Sequence, residues 1–405
     1  MREVALLNKK ETQDVIIESK DIDVVTGEKK KQSIWTKEIT FKRVASKGKQ
    51  DEKPDKAKAI RLVGVDIGNS TIKIVEGQVK GEKVHVYNMF KIPTPVNVLG
   101  DGNVEQPASV GIVLKNSLKE HGIKIKNLSF TSESSTIISR ELVVPYVDKE
   151  SELKHLVEYE IQQFLAINLH NYVVQYMKID DVIEDGIEKQ KLLAVIYPKD
   201  IIASFKDVAE SVQLKPYALD ITNNAIRKIS NLAKVINADL LNKDDINMFL
   251  DMGSKSINIS IVNKGKLDFM RSISGGGRDI DRFVSDFKGI EMIDAEKLKK
   301  EEVNIGRQRE YNEVNDGVIR VVDGWATDLS RIINFYANKE SGKQIKHIYL
   351  CGGTAKLKGL DDYLESKVKI ETTNIVTLDN VEFSKNIGTS TVEEYINALG
   401  ALIRL

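Results

Sequence analysis

The sequence predicts a two-lobed α/β protein, on three observations. At 405 residues the chain is too long for one ordinary hydrophobic core. From Ile60 onward, strand-like and helix-like patterns alternate. A turn of the form Asp-x-Gly, followed by small polar residues, closes an apolar strand once in each half, in "VDIGNST" (65–71) and "LDMGSKS" (250–256).

Residues 1–60 stand apart as an N-terminal arm, with 15 Lys/Arg against 11 Asp/Glu. Its end, "KRVASKGKQDEKPDKAK" (42–58), has almost nothing apolar to bury and reads as a flexible, basic linker. Upstream, β-type patches flank a "TGE" turn. They pair as a small hairpin or order only on a partner, and a mostly disordered arm is an equal alternative. Trp35 in this arm fits a partner groove or a local aromatic contact.

The first lobe then opens with the strand "IRLVGVDIG" and a hairpin through 71–93. "ASVGIVLKNSLKEHG" (108–122) has helical spacing and stops on Gly122. Strands follow in "NLSFTSES" and "IISRELVVP", and "KESELKHLVEYEIQQFL" (149–165) is an amphipathic helix. "YVVQYMKID" and "KLLAVIYP" are strands around an acidic turn, before the helix "KDIIASFKDVAESVQL" and the strand "PYALDI". The second half repeats the plan in 246–274: strand, Asp-x-Gly turn, strand, short turn, strand. Two charged helical stretches follow, broadly 277–303 and 313–339, then a strand, a Gly-Gly turn and a helix in "HIYLCGGTAKLKGLDDYLESKV". "TVEEYINALGALIRL" closes the chain as a helix.

Composition removes several function classes. With 60 basic and 60 acidic residues the net charge is zero, which argues against bulk nucleic-acid binding. The one cysteine, Cys351, allows no intramolecular disulfide and no cysteine zinc site. Five scattered histidines do not suggest a metal cage, and His155 reads as a surface residue. Cys351 reads as small and buried rather than nucleophilic, having no histidine near it in sequence. "MREVALLNKKETQDV" lacks the apolar run of a signal peptide, and no stretch approaches the roughly 20 apolar residues of a membrane span. The expected location is cytoplasmic, with membrane contact through a partner.

Three turns carry the chemistry together. In each Asp-x-Gly turn the glycine lets the backbone fold sharply and bring N–H groups to an anion, while Ser and Thr hydroxyls add donors. The strand-end Asp cannot bind a phosphate directly, but it suits a water-coordinated divalent cation sitting on the phosphates. In "LCGGTAKLKG" (350–359) the absent side chains let a flat ring or sugar lie against the backbone beside a helix N-terminus. Two matched turns from two halves, with a later Gly-Gly turn, would face each other across a cleft and hold a nucleoside triphosphate.

This arrangement resembles the actin-like ATPase superfamily over about 61–405. The resemblance implies two lobes, each on a five-stranded sheet, with ATP and Mg2+ between them. It implies a first phosphate loop at Asp66, Gly68, Asn69, Ser70 and Thr71, with Lys73 in reach of the phosphates. The second loop would be Asp251, Gly253, Ser254, Lys255 and Ser256, with Asp66 and Asp251 holding the metal through water. Gly352, Gly353 and Thr354 would form the adenosine loop, and "AEKLK" (295–299) resembles the family segment in which Glu296 and Lys299 contact ribose or base. A plain surface salt bridge is the alternative for that last pair.

Within the superfamily, "VPYVDKESELKHLVEYEIQQFLAINLHNYVVQYMKI" (144–179) looks like the inserted subdomain of PilM, the type IV pilus assembly family. Residues 192–221 and the ending "YINALGALIRL" look similar to PilM segments too. The implied fold is a two-lobed actin-like ATPase with an inserted subdomain in the first lobe. The lobes divide as 61–145 and 201–244 for the first, 146–200 for the insertion, 245–390 for the second with a helical part at about 280–340, and 391–405 returning to the first. PilM-like proteins imply a partner in the cytoplasmic tail of the membrane protein PilN, held in a groove of the insertion, and pilus motor ATPases as further partners. FtsA shares the insertion site, so a filament-forming cytoskeletal ATPase of the FtsA or plasmid-partition type is the alternative, and a sugar kinase is a weaker third. Asp220 in "LDIT" is a candidate for orienting the metal or an attacking water. The next acidic position of the family is Thr222 here, and no Gln or Glu adjoins Asp220, so weak or absent hydrolysis is expected.

Overall fold

The computed structural model describes residues 60–306, 312–339, 343–385, 387 and 391–404. The expected N-terminal arm, with Trp35, lies outside the described residues apart from Ile60. The first lobe begins with β1 (Arg61–Ile67), β2 (Thr71–Lys80) and β3 (Lys83–Pro93), an antiparallel meander. β1 is buried on both faces from Leu62 on, which is why it reads as an unbroken apolar run rather than an alternating one. α1 (Pro107–Glu120) buries Val110, Leu114 and Leu118, spaced four apart along one face, and starts on a proline that needs no N–H partner there. β4 (Asn127–Ser132) then lies parallel to β1.

The chain next leaves this sheet. β5 (Ile138–Pro145), α2 (Glu150–Phe164), β6 (Tyr172–Glu184) and β7 (Ile187–Pro198) make a separate three-stranded sheet in the order β5-β7-β6. Val157 and Ile161 of α2 pack on Leu142, Val144, Leu192, Ala194 and Ile196, a small core of its own. This sheet starts at Ile138, upstream of position 146, because β5 pairs with β7 over its whole length.

α3 (Lys199–Glu210) and β8 (Lys215–Ile221) return the chain to the first sheet, parallel to β4. α4 (Thr222–Leu232) and the short pair β9 (Val235–Ile236) and β10 (Asp239–Leu240) lead to the second lobe. There, β11 (Ile246–Met252), β12 (Ser256–Asn263) and β13 (Lys266–Ser274) repeat the meander. α5 (Gly277–Lys288), α6 (Met292–Glu301) and α7 (Glu313–Lys339) follow, then β14 (Ile345–Cys351) parallel to β11, α8 (Leu360–Val368), β15 (Glu371–Asn374), β16 (Val381–Phe383) and α9 (Ile396–Ala401). The helical stretch expected over 277–303 is two helices, since Gly289 takes a left-handed conformation (φ 66°) and stops α5. The closing helix is shorter than 391–405: α9 spans six residues, with Leu402 and Ile403 bonding back to Leu399 and Gly400 in a tightened turn.

The two large sheets have matching orders, β3-β2-β1-β4-β8 and β13-β12-β11-β14-β15. The first, expected with five strands, has six, because β16 adds parallel to β3 at its edge. Each lobe has an apolar core, and a third core lies where α4 and α9 meet Leu62 and Val75 of the first sheet and Phe249 and Tyr349 of the second. α4 ties the lobes directly, with Asn223 Nδ2 donating to Ile259 O at 3.1 Å and Ser260 Oγ at 2.8 Å on β12. Among the described residues no helix is long and apolar enough to cross a membrane.

α9 lies against α4 so closely that a Cβ on Gly400 would stand 2.3 Å from the Ala225 carbonyl oxygen. Backbone cannot yield as a flexible side chain does. Gly400→Ala should therefore lower unfolding stability by about 1–3 kcal/mol, read from urea denaturation. An unchanged midpoint would show that the two helices do not cross at this distance.

Candidate functional site

The matched sheets bring both Asp-x-Gly turns to one cleft. Asp66 and Asp251 are each the penultimate residue of their lobe's central strand, β1 and β11, and each is nearly buried. The turns close alike: Gly68 N–H donates to Thr71 O at 3.1 Å, and Gly253 N–H to Ser256 O at 2.9 Å. A threonine hydroxyl braces each glycine carbonyl, Thr94 at 2.6 Å from Gly68 O and Thr354 at 2.7 Å from Gly253 O. The second turn is further held by Gly277 N–H on Gly253 O and Arg278 N–H on Ser254 O.

The cleft has a volume of about 490 Å³, in the usual range for small-molecule sites. Asp66, Gly68, Asn69 and Lys73 line it from one side and Asp251, Lys255, Ser256 and Gly352 from the other. Ser70, Thr71, Gly253 and Ser254 complete the two turns without lining the cleft, and Gly353 and Thr354 stand behind Gly352. Gly352 has φ 89°, and a Cβ there would meet Asp251 Oδ1 at 2.5 Å, so only glycine fits that strand end.

Charge in the cleft is one-sided. Lys73 Nζ lies 3.5 Å from Asp66 Oδ2, and Thr131 Oγ1 donates to Asp66 Oδ1 at 3.2 Å. Burial works against the Lys73 ammonium, but Asp66, Asp251 and Glu394 outweigh it and raise its pKa. Burial and the charge of Asp66 raise the pKa of Asp251, although Asn397 Nδ2 donates to it at 2.8 Å. Among the described residues no three His, Cys, Asp or Glu side chains form a direct metal cage. Two hard carboxylate donors on opposite walls suit a hydrated cation such as Mg2+, which keeps several of its waters.

The structure does not bring every expected residue to the cleft. Asp220, on β8, is buried behind it: Lys228 Nζ is 2.7 Å away and Asn224 Nδ2 2.9 Å, so it braces α4. Glu296 pairs with Lys300 at 2.6 Å rather than facing the lining residues. Lys299 turns to α5, 2.6 Å from Asp281 and 3.1 Å from Gly277 O, beside Thr354. Cys351 is buried next to Asp251, and burial pushes its thiol well up, which fits a packing residue. His155 is exposed on α2.

Other lining residues escaped the sequence reading. Glu394 is held by Lys91 from β3 and Lys356 from the second lobe, both at 2.8 Å, and Asn397 caps Asp251. Glu133 follows β4 and accepts a hydrogen bond from Ser256 Oγ on the other lobe at 2.5 Å. Burial, then Asp251, push its carboxyl up to about 8. Its signal was the internal repeat: Thr131 pairs with Asp66 as Cys351 pairs with Asp251, so "TSE" is the first-half counterpart of "CGG".

The raised carboxyl of Glu133 has a pH consequence. The folded state keeps a proton that the unfolded chain gives up above its ordinary value of 4.5, so this contribution to stability is complete below 4.5 and is lost as pH rises through about 8. In thermal melts, Glu133→Gln should gain on the wild type steadily between those two values, and a constant difference would refute the assignment. The fold itself has relatives. The chain superposes on the structure titled "PilM-PilN type IV pilus biogenesis complex" with a TM-score of 0.72 at 20% identity, covering 85% of this chain and 99% of that one. Ethanolamine utilization protein EutJ from Carboxydothermus hydrogenoformans matches with a TM-score of 0.51 at 16% identity, covering 85% and 89%. The model of the family "Type IV pilus assembly protein PilM" matches residues 64–402, so the chain belongs to the PilM family of type IV pilus assembly proteins, on an actin-like ATPase fold.

Proposed function

We propose that the chain binds ATP with Mg2+ between its two Asp-x-Gly turns and uses the nucleotide to set the angle of its lobes for a membrane-bound partner. The observation that carries this is the convergence of two identically closed turns on one cleft beside Lys73. Gly68, Asn69, Lys255 and Ser256, which line the cleft, would meet the phosphates on turns shaped by Ser70, Thr71, Gly253 and Ser254, and Gly352, backed by Gly353 and Thr354, would meet the nucleoside. Asp66 and Asp251 would hold the hydrated cation, whose role is to neutralise phosphate charge. Glu296 and Lys299 would reach ribose or base only after a shift from their present partners.

The partner would be the cytoplasmic tail of a bitopic membrane protein of the PilN kind, seated as a peptide on the three-stranded unit. Tyr159 and Phe164 stand more than half exposed on α2, as aromatic anchors for such a peptide do. This tether would place the protein at the inner face of the cytoplasmic membrane, within reach of pilus motor ATPases. Nucleotide and tail would then bias one lobe geometry reciprocally.

Titration with a fluorescent ATP analogue and Mg2+ should show saturable binding by the wild type and at least about tenfold weaker binding by Asp251→Ala, which loses a charge-assisted contact. Equal affinity would remove the site. Pull-down with the tail of a neighbouring bitopic pilus protein should retain the wild type, and Tyr159→Ala with Phe164→Ala should abolish retention. No binding in any nucleotide state would sink the partner assignment.

A further inference from the structure

We propose that the second lobe clasps the three-stranded unit at two points, and that this clasp holds the angle between the lobes and so the width of the cleft. The clasp is made by the protein alone and stands whatever the cleft binds. Lys266 makes one point and Lys339 the other.

The first point lies where two sheet edges meet. β6 is the outer strand of the three-stranded sheet, β13 is the outer strand of the second lobe's sheet, and the two lie against each other. β6 carries a bulge there: Lys178 pairs with Leu192 and Asp180 with Lys191, which leaves Ile179 outside the ladder. A bulged residue is re-aimed, and the Ile179 carbonyl oxygen accepts from Lys266 Nζ of β13. Beside it, Leu267 of β13 is fully buried in the core that holds Met177 and Ile179 of β6. The other described buried members of that core all come from the first lobe and the three-stranded unit. The second point joins β5 to α7. Lys339, in the last turn of α7, pairs with Glu141 Oε2, and Lys191 of β7 holds Glu141 Oε1 at 3.0 Å. An exposed ion pair alone contributes little, but here the carboxylate is already fixed by a second lysine.

Both points belong to one body. Asp268, nearly buried on β13, accepts from Tyr336 of α7 and from Lys343, each at 2.6 Å. The start of β13 is thus tied to the end of α7, and Lys266 and Lys339 move together. The far end of β13, Ser272 to Ser274, is part of the cleft wall. At about 3.3 Å per residue the two ends of this strand stand roughly 25 Å apart. Held along β12, the strand cannot shorten, so tilting the second lobe away from the cleft pulls Lys266 and Leu267 off β6. The core around α4 and α9 serves as the pivot. At the cleft the lobes are joined by single hydrogen bonds such as Ser256 Oγ to Glu133, and withdrawing a fully buried leucine costs more than breaking one of these.

The test measures the lobe angle in the full chain without ligand. Nitroxide labels at Lys115→Cys on α1 and Asp362→Cys on α8, both exposed positions, report the distance between the lobes by double electron–electron resonance, while the buried Cys351 stays unlabelled. The otherwise wild-type chain should give one narrow distance. Lys339→Glu sets two carboxylates against each other, and Lys266→Met keeps the aliphatic stem but loses the donor; each should add a population at longer distance. Adding Glu141→Lys to Lys339→Glu should restore the narrow distribution, a rescue that general destabilisation would not give. Lys266 and Lys339 are exposed, so neither change disturbs a core, and Lys339→Met carries the test should the reversed charge not fold. Unchanged distances in Lys339→Glu and Lys266→Met, or a broadening in Lys339→Glu that Glu141→Lys fails to reverse, would overturn the proposal and leave nucleotide binding untouched.

Discussion

Two nearly buried carboxylates face each other from the ends of the two central strands, and the shape of the molecule follows from them. Neither Asp66 nor Asp251 has a full countercharge of its own: one lysine, Lys73, serves both. Charges this poorly paired cannot be packed into a dry interface, because desolvation would exceed the attraction gained. The lobes therefore share an apolar core around α4 and α9, and at the strand ends leave a charged cleft bridged by single hydrogen bonds such as Ser256 Oγ to Glu133. An anion is accepted in such a cleft only together with positive charge.

Around that cleft the molecule is one design used twice and then edited. The sheet orders match, the turns close with the same hydrogen bond, and a threonine braces each glycine carbonyl. The departures fall on the lining. Lys73 stands on β2 where Asn258 stands on β12, and Glu133 stands where Gly353 does. The first-lobe wall thus carries a lysine and a carboxyl at two positions where the second lobe has an amide and bare backbone.

Much of this was legible in the sequence because it is local. Strand-end aspartates, turn glycines and the period of α1 are written in consecutive residues, so the two-lobed α/β fold and both Asp-x-Gly turns could be read directly. What was not legible depends on long-range pairing. Glu394 and Asn397 come from the last fifteen residues and reach the site only because α9 docks on β1. Asp220 has the right strand-end placement, but its neighbours Asn224 and Lys228 one helical turn and two turns on claim it first. β16 is three residues long, too short for any period to show. Gly289 was visible, yet a glycine inside a charged stretch does not by itself announce a stop.

The return of the chain to its starting lobe sets an order on synthesis. β16 supplies an edge of the first sheet and α9 covers Leu62 and Val75 near its centre, yet both lie beyond the entire second lobe in sequence. While the ribosome is still making the second lobe, the first exposes an unpaired strand edge and an uncovered apolar face. The first lobe to be translated is thus the last to be completed, because its edge strand and the helix over its centre are supplied by the last residues of the fold.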